Sequence, residues 1–322
     1  MLTLKMTSKA GSPKAELVES GITEVNSETL LADEAPVHIC QGIDEPSTTV
    51  IFSYLGYTSR KMSAKSELRG KLALVTGASG GIGAAISKDL HKHGVHLALT
   101  YRSSGAKIDE LVKELESVKD GLIESPLNSK ISVHQADMAK IPDLRRLFDE
   151  IRKEHGRYPH ILVSNAGHGK PIPLLEDITL EEWDYTIAVN LTATFVLCQL
   201  AIPHMKAQNW GRIILMGSIS GHGGGINGCH YAASKGGLMA MVKNLATKLG
   251  KYGITINDVA PAMIGNTGLI PGERTVEDTP GDVRNIPVGR LGRPEEVANV
   301  VTMLCKTGYM TGQSILLSGG LK

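Results

Sequence analysis

Aromatic bulk is scarce in this chain: only 3 of its 322 residues are phenylalanine and only 2 tryptophan, against 36 glycines. Such a balance favours close backbone approaches over aromatic packing. Charge of one sign is missing too, because 34 Lys and Arg meet 33 Asp and Glu. No global basic field exists to attract nucleic acid or an anionic membrane, so neither is an expected partner. The four cysteines, Cys40, Cys198, Cys229 and Cys305, include no CxxC pair and no zinc-ligand spacing, so neither a disulfide framework nor a metal is indicated. No uninterrupted apolar run approaches the roughly 18 residues of a membrane span, and the N-terminus lacks the charged-then-apolar order of a secretory signal. A soluble protein of a reducing, cytoplasmic setting is expected. What is present, 42% hydrophobic and 21% charged residues, suffices to bury a core.

Length alone suggests two domains, but the texture changes near Gly70 and then stays uniform. Residues 1–69 are read as an N-terminal extension, largely disordered, with Lys5, Lys9, Lys14 and Arg60 against eight acids in its first 60 residues. It is too acidic for a mitochondrial presequence. Met62 opens a segment that would itself make a natural start, and Thr49 to Tyr57 is apolar enough for a strand or a docking segment.

Residues 70–322 alternate short β-branched runs with helical periods. The strand candidates are 72–76, 96–101, 131–136, 160–165, 212–217, 254–259 and 314–318. That alternation predicts an α/β fold: a doubly wound, seven-stranded parallel sheet of the Rossmann type, in one domain. Two long apolar stripes, Trp183, Ile187, Leu191, Phe195, Cys198, Ile202 and Leu238, Val242, Leu245, Leu249, mark core helices.

The first strand runs directly into Thr76-Gly77-Ala78-Ser79-Gly80-Gly81-Ile82-Gly83 and then a helix. A pyrophosphate needs backbone N–H groups at a helix start, and glycines let it approach, so Gly77, Ser79, Gly81, Ile82 and Gly83 are candidate dinucleotide contacts. No Gly-Lys-Ser/Thr follows, which excludes a P-loop. Where an acid would bond the ribose hydroxyl of NAD, the chain reads Tyr101-Arg102-Ser103. A guanidinium there suits a 2′-phosphate, so NADP(H) is the expected cofactor.

With Asn165-Ala166-Gly167 after the fourth strand, Ser218 after the fifth and Tyr231-Ala232-Ala233-Ser234-Lys235 beyond it, residues 70–322 resemble the short-chain dehydrogenase/reductase family. IPVGRLGRPEEVANVVTML followed by TGQSILLSGG resembles its 3-oxoacyl-acyl-carrier-protein reductases. The resemblance implies a catalytic tetrad of Asn190, Ser218, Tyr231 and Lys235, and cofactor contacts from Asp137, Asn165, Ala166, Gly167, Tyr231, Lys235, Pro261 and Ile264. Tyr231 and Lys235 share a helix face, so the ammonium is expected to favour the phenolate by charge. Ser218 would bond the substrate oxygen, and Asn190 would hold a water behind Lys235. After the sixth strand, Ala262 stands where the family commonly has glycine, and Thr267 is displaced by about one position, so Ile264 is better placed as a contact.

These residues imply an NADPH-dependent reduction of a ketone to a secondary alcohol, with a 3-oxoacyl thioester or similar β-ketone as substrate. A carbonyl reductase of secondary metabolism or a polyol dehydrogenase would keep the same tetrad, and a non-catalytic nucleotide-binding regulator would not need it. Residues 263–285 look like a mobile lid. Lys206, Arg212, Lys248 and Lys251 could dock an acidic carrier protein, and the resemblance implies a homotetramer. His91, His93 and His96 are read as helix-end caps rather than metal ligands, and His230 as a pocket wall.

Overall fold

The structure, a computed structural model, describes residues 68–117, 129–223 and 226–321, together with the backbone of two N-terminal strands. Those strands, β1 (Leu2–Thr7) and β2 (Lys14–Glu19), pair antiparallel. They belong to a unit spanning Met1–Ser63; a second unit spans Ala64–Lys322. The rest of the expectation for residues 1–69, including Thr49 to Tyr57, lies outside the described residues.

The larger unit is built on seven parallel strands: β3 (Leu72–Val75), β4 (His96–Tyr101), β5 (Ile131–Gln135), β6 (Ile161–Ser164), β7 (Gly211–Met216), β8 (Ile254–Pro261) and β9 (Ser314–Leu317). Their order is β5-β4-β3-β6-β7-β8-β9. After β5 the chain returns across β3 to lay down β6, and this reversal opens a crevice at the carboxyl ends of β3 and β6. Helices α1 (Gly81–Lys92), α2 (Gly105–Ser117) and α7 (Pro294–Lys306) cover one face of the sheet; α3 (Ile141–His155), α5 (Ala193–Gln208) and α6 (Cys229–Leu249) cover the other. Both faces being buried explains why β3 reads as an unbroken apolar run, and why β6 and β7 carry the apolar runs Ile161–Val163 and Ile213–Met216.

The stripe from Trp183 to Ile202 departs from expectation. A short helix, α4 (Leu180–Ile187), passes through one π turn, Ala188–Thr192, into α5. Thr186, Val189, Asn190, Ala193, Thr194, Leu197, Ala201 and Met205 take the buried positions, while Trp183 is 36% and Phe195 52% exposed. Small residues bring the helix backbone close to its neighbours, and of the expected stripe only Cys198 is fully interior. Leu191 and Ile202 pack partly buried against the core, while Trp183 and Phe195 lie exposed. Residues 180–208 have the length and apolarity of a membrane span, yet half of their most apolar 18-residue window is buried within the domain, as in a core helix.

Arg212 is likewise corrected as a docking residue. It lies buried in β7, where its guanidinium donates to the carbonyls of Cys305 (3.0 Å) and Gly211 (2.7 Å) and sits 4.4 Å from the Trp210 ring centre. Of the histidines at the end of α1, His93 Nε2 pairs with Lys306 Nζ, and His96 Nδ1 accepts from the Lys130 amide.

Candidate active site

The turn after β3 is held by two side chains that leave its outer amides free. Thr76 Oγ1 accepts from the amides of Asn165 (3.0 Å) and Ala166 (2.9 Å), while Asn165 Nδ2 donates to the carbonyls of Thr76 (2.8 Å) and Gly77 (3.2 Å). The strand ends of β3 and β6 are thereby locked together. Gly77 has φ +65°, and a Cβ added at Gly83 would lie 2.3 Å from the Gly77 carbonyl. Only glycine allows so tight an entry into α1. The N-terminus of α1 has no side-chain cap, so its first amides point outward unpaired by the helix.

They face a cavity of about 490 Å³ whose walls include Gly77, Ser79, Gly81, Ile82, Gly83, Tyr101, Arg102, Ser103, Asp137, Asn165, Ala166 and Gly167. A glycine cradle, uncapped helix amides and room for an extended ligand fit a dinucleotide. Arg102 closes one end and donates through Nη1 to the Tyr185 hydroxyl. Asp137 is engaged locally, its Oδ1 accepting from the Ala139 amide at 3.0 Å.

A second cavity of about 390 Å³ shares Ile82, Asn165, Gly167, His168, Thr267 and Leu269 with the first. Ser218, Tyr231 and Lys235 line it together with Pro261, Ile264, Ile219, Met263 and Ile270. Pro261 and Ile264, expected at the cofactor, are thus on the side of the second cavity, whereas Thr267 borders both. Ser218 follows β7 in extended backbone, its Oγ accepting from the Ser220 amide at 3.2 Å. Lys235 Nζ sits 5.5 Å from the Tyr231 ring centre and donates to the Met216 carbonyl at 2.7 Å.

Burial governs both titrating groups. It pushes the Tyr231 phenol up, with the Ser218 hydroxyl opposing, and it pulls Lys235 down to about 8, with Asp258 opposing. Desolvation, which disfavours any charge at this depth, sets the direction of the phenol's shift, and the Ser218 hydroxyl is the group that opposes it.

Asn190, the fourth member of the expected tetrad, lies in the π turn. Its Nδ2 donates to the His168 carbonyl (2.9 Å) and to Ser234 Oγ (3.0 Å), and its Oδ1 accepts from the His168 amide (2.8 Å). The side chain therefore braces the loop after β6 against α6. A π turn at a functional residue is a recurrent device, since it aims one side chain out of helical register. His230 is interior rather than a pocket wall, with neither ring nitrogen hydrogen-bonded. Among the described residues no cluster of three or more His, Cys, Asp or Glu is placed to hold a metal ion.

Three features escaped sequence reading. Thr76 could be suspected only from its place before the glycines, and the bracing by Asn165 depends on two strands meeting. Asp258, fully buried in β8, was signalled by a lone acid in ITINDVAP.

Comparison with known proteins agrees with this geometry. Residues 77–322 match the family model described as enoyl-(acyl carrier protein) reductase. The chain is 37% identical over 263 residues to a mouse (Mus musculus) (3R)-3-hydroxyacyl-CoA dehydrogenase, covering 81% of this chain and 99% of the relative. It is 36% identical over 257 residues to a Rickettsia bellii 3-oxoacyl-acyl-carrier-protein reductase, covering 79% and 98%. A solved short-chain dehydrogenase/reductase from Serratia marcescens superposes with TM-score 0.68 at 32% identity, over 79% of this chain and 99% of that one. With a parallel seven-stranded sheet, a glycine cradle for a nicotinamide dinucleotide and a Ser-Tyr-Lys cluster beside it, the chain belongs to the short-chain dehydrogenase/reductase family of oxidoreductases.

Proposed function

We propose that this protein reduces a ketone to a secondary alcohol with NADPH, and that its substrate is a 3-oxoacyl thioester. The observation that carries the reading is one shared wall: the cavity holding Ser218, Tyr231 and Lys235 adjoins the glycine-lined cavity through Asn165, Gly167 and His168. When bound, NADPH supplies the hydride. The chain supplies the rest. Ser218 bonds the carbonyl oxygen as negative charge grows on it. Tyr231 delivers the proton, and the burial that raises its pKa keeps the phenol protonated until an alkoxide forms. Lys235, with a pKa near 8, carries positive charge beside the phenol through much of the neutral range and stabilises the phenolate left behind.

Arg102 supports NADPH over NADH, since the residues after β4 that line the first cavity, Arg102, Ser103 and Ser104, include a guanidinium and no carboxylate. Ile219, Met263, Leu269 and Ile270 give the second cavity an apolar wall that suits an acyl chain better than a polyol. The names of the relatives support the thioester. A carrier protein would meet Lys206, Lys248 and Lys251, of which Lys206 and Lys251 lie over the Tyr252 ring. The exposed face of Trp183 and Phe195 supports a homotetramer, and the residue composition a cytoplasmic location. A monomeric mass by light scattering would count against the assembly.

The test is a carbonyl panel followed by NADPH absorbance. Acetoacetyl thioesters should exceed simple diketones and ketoses by at least about tenfold in kcat/KM, the scale on which a fitted apolar pocket discriminates. A ketose turned over fastest would overturn the substrate assignment and favour the polyol dehydrogenase.

A further inference from the structure

One bond between side chains joins two walls of the cofactor cavity that the sheet does not itself connect. Arg102, exposed just after β4, donates through Nη1 to the hydroxyl of Tyr185 in α4, 83 positions on. Arg102 lines the first cavity from the end of β4, together with Tyr101, Ser103 and Ser104. Tyr185 comes from the opposite side. It lies just before the π turn that brings Val189 to the cavity, and its ring stands edge-on to His168, another wall residue, with ring centres 4.9 Å apart. A long, exposed arginine side chain ordinarily samples many rotamers. This one is held at both ends, because its carbonyl accepts from Gln135 Nε2 at 2.9 Å while its guanidinium ends on Tyr185.

We propose that Tyr185 is a positioning residue for the choice of cofactor: its hydroxyl holds the Arg102 guanidinium ready for the 2′-phosphate of NADPH. The inference rests on the reading of Arg102 as the group that meets that phosphate. A guanidinium carries several N–H donors, and Tyr185 takes one from Nη1, so others remain for phosphate oxygens. The choice of a phenol matters. It accepts a hydrogen bond without carrying charge, so it fixes the guanidinium without neutralising it, whereas a carboxylate in its place would compete with the phosphate. The side chain is thereby ordered before the cofactor arrives, and less ordering remains to oppose binding. NADH offers only a hydroxyl at that position and gains little from a fixed cation.

Tyr185 can hold Arg102 because it is itself held. Its ring is partly buried and packs against the core, and the His168 beneath it is tied on every side. His168 Nε2 meets Glu182 Oε1 at 2.7 Å, its amide donates to Asn190 Oδ1 at 2.8 Å, and its carbonyl accepts from Asn190 Nδ2 at 2.9 Å. Glu182 Oε1 also accepts from Thr186 Oγ1 at 3.2 Å. The base is rigid, so the hydroxyl has a fixed place. A tyrosine that only filled space beside His168 would need its ring and not its hydroxyl.

The experiment is calorimetric titration of the full chain with adenosine 2′,5′-bisphosphate and with 5′-AMP, which differ only in the 2′-phosphate. Tyr185→Phe keeps the ring and removes the hydroxyl alone. It should weaken the bisphosphate about fivefold, the scale of ordering one flexible side chain, and leave 5′-AMP within about twofold. In the double variant, Arg102→Ala with Tyr185→Phe, the loss should be no greater than in Arg102→Ala alone, because Tyr185 acts only through Arg102. Wild-type bisphosphate affinity in Tyr185→Phe would overturn the inference. So would equal weakening of both nucleotides, which marks a packing role, or losses that add in the double variant, which mark an independent contact. A preference for the bisphosphate lost in Arg102→Ala and kept in Tyr185→Phe would overturn this inference and leave the NADPH reading standing. A wild-type chain with no such preference would overturn both. Neither titration needs turnover, so the result does not depend on which ketone is reduced.

Discussion

The two adjoining cavities solve different problems with different materials. The cofactor side is built mainly from backbone: Gly77, Gly81 and Gly83 shape it, and Thr76 and Asn165 pin it through carbonyls and amides. The substrate side is built from side chains, with Ser218, Tyr231 and Lys235 set against Ile219, Met263, Leu269 and Ile270. Backbone cradles tolerate almost no change, because a Cβ has nowhere to go. Side-chain walls can be exchanged, so one scaffold can serve many ketones.

That contrast can be broken by substitution. The largest effect belongs to Gly83→Ala, whose Cβ would sit 2.3 Å from the Gly77 carbonyl and 2.8 Å from Asn165 Nδ2. We expect loss of NADPH binding by at least about a hundredfold, measured by fluorescence titration, with about 1–3 kcal/mol lost in stability from overpacking. Wild-type affinity in this variant would show that the cradle does not hold the dinucleotide. A smaller effect is expected of Arg102→Ala, whose guanidinium is exposed and contributes one charge-assisted contact. KM for NADPH should rise about tenfold while KM for NADH stays within about twofold. Equal changes for the two cofactors would remove Arg102 as the reader of the 2′-phosphate.

Legibility in the sequence followed the same division. Strand and helix order was readable because both sheet faces are buried, so each strand appears as an apolar run of characteristic length. The glycine turn was readable because its chemistry is local, eight consecutive residues between a strand and a helix. What could not be read depends on partners far apart in the chain. The stripe from Trp183 to Phe195 looked interior because apolar spacing alone cannot separate a core face from an outward one, and the π turn at Ala188–Thr192 shows no sequence signature. Arg212 looked like a surface charge, yet its guanidinium finds carbonyls near the ends of α7 and β7. Asp258 became meaningful only once Ser314, 56 positions on, closed against it.

The central claim is that Tyr231 supplies the proton at a site whose cofactor cradle is separately built. Tyr231→Phe removes one buried hydroxyl and leaves the glycine turn untouched, so NADPH affinity and turnover should part company. The measurement is the two together on one preparation, NADPH titration and reduction of an acetoacetyl thioester. The account predicts NADPH affinity within about twofold of wild type and turnover lower by about a thousandfold, the middle of the range for losing a general acid. Turnover at the wild-type rate with NADPH bound normally would contradict it.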